Sequence, residues 1–196
     1  MKMNRKYFLL FSEALIPILG FFFWNWGLYF ILLFYFIDVL AQEVIMHLKT
    51  KKIIGAQEIS SSSNWVKSGA LSTFVVLAMI SLIHVSMFYI DPSIDFMKQI
   101  ELFWTYEELG VQQGYLLIPL VGLMTYVQFR TDFLMPKMEE STVLEMMWKM
   151  HLKALLTIIG CVGITVGLSQ IVVLPEVVYV LCIVGGIAVY GLIVKD

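Results

Sequence analysis

From Tyr7 to His47 the chain runs for 41 residues with three carboxylates and no lysine or arginine. A helix that crosses a bilayer needs about 20 predominantly apolar residues. The run therefore holds two spans and not three. The break falls at Asn25-Trp26-Gly27, where Asn and Gly suit a tight turn and Trp suits a membrane interface. The spans predicted are residues 7–24 and 27–47. The opening MKMNRKYFLLFSEALIPILG imitates a signal peptide, with three cations before an apolar stretch. No small-x-small cleavage site follows and the hydrophobicity continues, so it reads as a retained first span.

The rest of the chain repeats the pattern. Apolar stretches over 69–90, 114–134, 154–173 and 176–194 alternate with polar segments at 48–67, 91–112 and 135–153. Hydrophobic residues make up 60% of the sequence and charged ones 14%, against about 25% charged in a soluble domain. The expected fold is all-α: one domain over 1–196 with six transmembrane helices. A cytoplasmic N-terminus then puts 12 of the 13 Lys and Arg residues on the cytoplasmic side, with only Lys98 outside. Positive charge favours the cytoplasmic face, so both termini are expected there, in a prokaryotic inner membrane. A five-span or seven-span chain would spoil this partition.

Two polar segments are predicted to be helical. Asp91-Pro92 places a capping residue before a proline at a helix start. Ile94, Met97, Ile100 and Trp104 then recur at roughly helical spacing, which predicts an amphipathic helix lying on the outer surface. On the inner side Thr142-Val-Leu-Glu145 is a capping box. Val143, Met146, Met147 and Met150 follow on one side of a helix expected to run into the fifth span.

Ionisable groups inside a bilayer are expensive and mark function by default. The second span carries Asp38, Gln42, Glu43 and His47. At about 100° per residue, Asp38 and Gln42 share one face and Glu43 and His47 the opposite one. Glu43 and His47, in the last turns of that span, are expected to reach headgroups or pair with each other. Asp38 lies roughly 16 Å from the outer edge, near mid-bilayer, so it is the carboxylate expected in the interior. His84 sits roughly 8 Å below the outer surface, within reach of Asp38 once boundary error is allowed. That pair reads either as a structural interhelical hydrogen bond or as a proton or substrate site. Glu13 precedes Pro17, which cannot donate to the Glu13 carbonyl. A kink there could line a polar cavity, or Glu13 could reach the headgroups.

Other chemistries find less support. Glu13, Glu43, His47 and His151 could converge near the inner surface, but no HExxH or paired ExxH accompanies them. Met135, Met138, Met146, Met147 and Met150 beside His151 suggest copper(I), yet methionine at helical spacing is more often packing. No metal or other cofactor is expected. Nucleophile elbows, P-loops and dinucleotide turns are absent from the sequence, and so are catalytic residues by that measure. Cys161 and Cys182 lie in apolar stretches and read as small core residues. A net charge of −2 with no basic stripe argues against nucleic acid. Gly160, Gly163 and Gly167 in the fifth span, and Gly185, Gly186 and Gly191 in the sixth, suit close helix packing, against each other or against another subunit.

The stretch IPILGFFFWNWGLYFILLFYFIDVL resembles the opening of a family of uncharacterised prokaryotic multispan membrane proteins. Pro17, Leu19, Gly20, Trp26 and Tyr35 match that opening, and Asp38 stands where the family has Glu. HVSMF resembles a second segment of the family through His84 and Phe88, with Val-Ser in place of Tyr-Gly. MHLKALLTIIG resembles a third through His151 and Leu152, with Met in place of Leu before the histidine. The resemblance covers about a third of the chain and implies no activity. It implies that Asp38, His84 and His151 belong together. The function expected is a non-enzymatic component of a membrane complex, with the bilayer and other membrane subunits, or further copies of the chain, as partners. The alternatives are a small transporter or proton-conducting protein using Asp38 and His84, and an intramembrane metal or redox protein.

Overall fold

A computed structural model describes the backbone of residues 5–58, 63–105, 107–108, 111–172 and 175–194, and the side chains of 14–58, 65–105, 114–172 and 175–187. Seven α-helices account for nearly all of it: α1 (Arg5–Phe23), α2 (Leu28–Gln57), α3 (Ser63–Ile90), α4 (Phe96–Thr105), α5 (Gln113–Phe129), α6 (Leu144–Ser169) and α7 (Glu176–Val194). One antiparallel ladder of two residues a side, Glu107–Glu108 against Val111–Gln112, precedes α5. Among the described residues, three stretches are long and apolar enough to cross a membrane: Leu28–Gln57, Trp65–Ile90 and Leu144–Ser169.

The break between α1 and α2 follows its sequence. Asn25 adopts the left-handed conformation, with φ 49°, which Asn tolerates better than most residues. The Gly20 carbonyl accepts from both the Trp24 and Trp26 amides, at 3.1 and 2.9 Å. These bonds fold Trp26 back over Gly20, where a Cβ would collide with the indole. The Trp26 ring then packs against Phe30 with a centroid separation of 4.5 Å.

Three boundaries depart from the sequence reading. The segment 48–67 is not all loop: α2 continues ten residues beyond 47, and α3 begins at Ser63. Ile53 explains the extension, because it is fully buried and so anchors the basic stretch around it as helix. Pro119 lies within α5 without ending it, and the chain then loosens into a π turn, Arg130–Leu134. In the segment 91–112, Asp91 does not cap α4. Its Oδ1 accepts from the Ser93 amide and hydroxyl, which makes a local turn. Asp95 caps the helix instead, accepting from the Lys98 amide at 3.1 Å. The inward stripe of α4 is accordingly Phe96, Ile100 and Phe103, while Met97 is 77% exposed.

The chain forms two compact units. Unit one comprises 1–34, 81–103 and 156–196; unit two comprises 35–80 and 104–155. Within unit one, α1 packs along α7. Glu176, at the start of α7, accepts a 2.5 Å hydrogen bond from the Leu28 amide and so caps the amino end of α2. Within unit two, Ile45, Met46, Ile53, Phe129, Phe133, Leu144 and Trp148 form the apolar core. Trp148 is fully buried, and its ring lies 3.3 Å from where a Cβ on Gly69 would stand. The helix that begins at Leu144 does run unbroken through Ser169, but its expected apolar stripe divides, with Met147 packed against the core and the others outward. Val143, Met146 and Met150 are exposed, and Leu144, Trp148 and Leu155 hold the inner face.

Candidate functional site

Glu43 is the buried carboxylate of α2, at 5% exposure. This corrects the expectation that it reaches the headgroups. The reason lies in the length of α2: running from Leu28 to Gln57, the helix carries Glu43 at its middle and not in its last turns. Four groups from three helices converge on the carboxylate. Its Oε2 accepts from the Ser72 hydroxyl of α3 at 2.9 Å and meets His151 Nε2 of α6 at 2.8 Å. Its Oε1 accepts from the Thr73 hydroxyl of α3 at 2.8 Å and lies 3.4 Å from His47 Nε2, one turn on in α2.

The expected pairing of Glu43 with His47 is thus present, as one edge of a larger cluster. His47 also lies 3.1 Å from Thr73 Oγ1. The two imidazoles differ in access: the His47 side chain is 53% exposed and that of His151 is 9% exposed. Trp148 holds both in place. Its ring centroid is 5.2 Å from that of His47 and 6.0 Å from that of His151. Its indole N–H donates to the Thr50 hydroxyl at 3.0 Å. A buried polar group left without a partner is costly in an apolar setting, and here each carboxylate oxygen has at least two neighbours that can donate. Chemically, the cluster can bind and pass protons.

Asp38 and Gln42 stand one turn apart on α2. Asp38 is half-buried, and its Oδ2 accepts from the exposed Gln42 amide at 2.7 Å, so the two do share a face. Asp38 belongs to unit two and His84 to unit one. In its own unit His84 Nε2 lies 3.0 Å from the Tyr29 hydroxyl, and its ring is 4.8 Å from that of Phe96. His84, Val85, Phe88, Tyr89 and Phe96 line an open groove of about 440 Å³.

The side chains of Glu13 and Gly191's surroundings lie outside the described residues. Among those described, no group of three or more His, Cys, Asp and Glu side chains could hold a metal ion. The glycines divide. Gly186 sits against Cys161, whose Sγ is 3.2 Å from a Cβ built there, so α6 and α7 approach closely at that point. Gly160, Gly163, Gly167 and Gly185 would find nothing within 4 Å. Among the described residues, no neighbour stands where those side chains would begin.

Ser72, Thr73, Thr50 and Trp148 were missed by the sequence reading. Adjacent hydroxyls at Ser72-Thr73, inside an otherwise apolar helix, were the available signal, because a polar pair at such a position needs a partner. Comparison of the chain with protein families, with curated proteins and with solved structures finds no match.

Proposed function

We propose that the chain is a six-span membrane protein, with both termini in the cytoplasm of a prokaryotic cell, that serves as a non-enzymatic component of a membrane assembly. The charge partition supports the topology. The observation that carries the assembly reading is the open face of α6: a Cβ at Gly160, Gly163 or Gly167 would meet none of the described residues within 4 Å, and Ile164 beside them is 68% exposed. Small residues let a second helix approach closely, and transmembrane association depends on such packing. Three short segments support kinship with the uncharacterised multispan family.

The open face gives a clean experiment. Leucine at Gly163 and Gly167 has room within the chain, so the fold should survive. Extraction into lipid nanodiscs followed by native mass spectrometry should show the wild type bound to a second subunit or to itself, and the double variant alone. A wild-type chain that is monomeric and unaccompanied after mild extraction would overturn the reading.

A second reading, a small transporter or proton-conducting protein using Asp38 and His84, is favoured by one observation: His84, tied to Tyr29, lines the aromatic groove. Asp38→Asn should then abolish transport in reconstituted vesicles while leaving the helical signal intact.

A further inference from the structure

We propose that Glu43 is a proton-exchange site, reached from the surface through His47 and Thr73 and backed by His151. The argument turns on one hydroxyl. Thr73 has a single proton, and its oxygen is placed to donate either to Glu43 Oε1, at 2.8 Å, or to the Gly69 carbonyl, at 3.1 Å. It serves one acceptor at a time. When Glu43 is ionised, Thr73 donates to it. When Glu43 carries a proton, Glu43 donates to Thr73 Oγ1, and the hydroxyl proton turns to the Gly69 carbonyl. Both states leave every group bonded. A purely structural carboxylate needs only the first.

The same hydroxyl connects the site to the outside. His47 Nε2 is 3.1 Å from Thr73 Oγ1, and its side chain is half-exposed. A proton arriving at His47 passes from Nε2 to Thr73 Oγ1, and the Thr73 proton passes on to Glu43 Oε1. The O–H bond broken at Thr73 is replaced by the one formed there, so the relay balances without any other reactant. At the far oxygen, His151 Nε2 meets Oε2 at 2.8 Å and offers a second, buried station. The titratable groups facing Glu43 among the described residues are His47 from its own helix and His151 from α6. The facing groups of α3 are the hydroxyls of Ser72 and Thr73. The site therefore has a surface end and a buried end, and the direction of travel is set by which end is wet.

Time-resolved infrared spectroscopy of the chain in lipid vesicles tests this. The carboxyl signal that Glu43→Gln removes should rise after a downward pH jump. Thr73→Val keeps the shape of the side chain and removes the hydroxyl, and it should slow that rise by at least about tenfold, one decade of rate. Thr73→Ser should restore it. His47→Phe keeps the ring against Trp148 and should slow entry as Thr73→Val does, which preserves the test should the valine variant fail to fold. A Glu43 signal that does not respond to pH, or equal rates in wild type, Thr73→Val and His47→Phe, would overturn the proposal.

Discussion

Glu43 and His151 stand 108 residues apart in the sequence and 2.8 Å apart in the fold. Their contact joins the middle of α2 to the inner face of α6, with α3 closing the third side through Ser72 and Thr73. Each partner has little exposed surface, so removing either one leaves polar atoms with nowhere to turn.

Glu43→Leu should therefore destabilise the protein more than Glu43→Gln. The amide keeps acceptor and donor capacity for Ser72, Thr73 and His151, whereas leucine strands them. An unsatisfied buried polar group costs about 1–3 kcal/mol, and the leucine variant should lose roughly that much relative to glutamine. Reversible unfolding in mixed micelles measures the difference. Equal stability of the two variants would mean that the cluster is not held by hydrogen bonding.

Gly20 and Gly160 should respond in opposite ways to alanine. A Cβ at Gly20 meets the Trp26 indole, while one at Gly160 finds open space. Gly20→Ala should cost about 1–3 kcal/mol, as overpacking does. Gly160→Ala should be neutral or slightly stabilising within the monomer, since alanine is the better helix former. Thermal denaturation followed by circular dichroism separates them.

Trp148→Phe should lower stability by about 1 kcal/mol, the net value of one hydrogen bond, because Thr50 loses its indole donor. Thr50→Val in the same background should recover part of the loss, since neither partner is then left half-made. A double-mutant cycle on unfolding free energies measures the coupling.

Topology can be mapped by cysteine labelling once Cys161 and Cys182 have been replaced. Met97→Cys, on the exposed face of α4, should react with an impermeant maleimide applied from outside. Glu140→Cys, between the π turn and α6, should react only after permeabilisation. The reverse pattern would invert the orientation that the lysines and arginines favour.

Much of the helical layout was readable, because apolar length and turn chemistry are local properties. The Asn25 turn, the start of α7 at Glu176 and the continuity of α6 all follow from residues near them. The interior carboxylate was not readable in that way. Counting inward from residue 27 puts Asp38 near mid-bilayer, while an expected end at His47 leaves Glu43 in the last turns. The helix in fact runs to Gln57, because Ile53 buries itself against unit two's core, and this shift moves Glu43 inward. The stripe of α4 was misassigned for a similar reason. Asp91-Pro92 imitates a cap, and the choice of Asp95 over Asp91 moved the start of the helix to Phe96. The methionines of α6 carry no signal of direction, since hydrophobicity alone does not say which apolar face meets protein and which meets lipid or a partner.

The bond from the Leu28 amide to Glu176 has a consequence for how the protein is made. Ribosomes deliver the chain from its amino end, so α2 leaves the exit tunnel long before residue 176 exists. Until then its first turn lacks that carboxylate, and α1 lacks the α7 surface along which it packs. Unit one is thus completed retroactively, by a segment synthesised long after α1 and α2. Nascent chains released just short of Glu176 would carry all three long apolar stretches and still present an unfinished amino-terminal region to quality-control proteases.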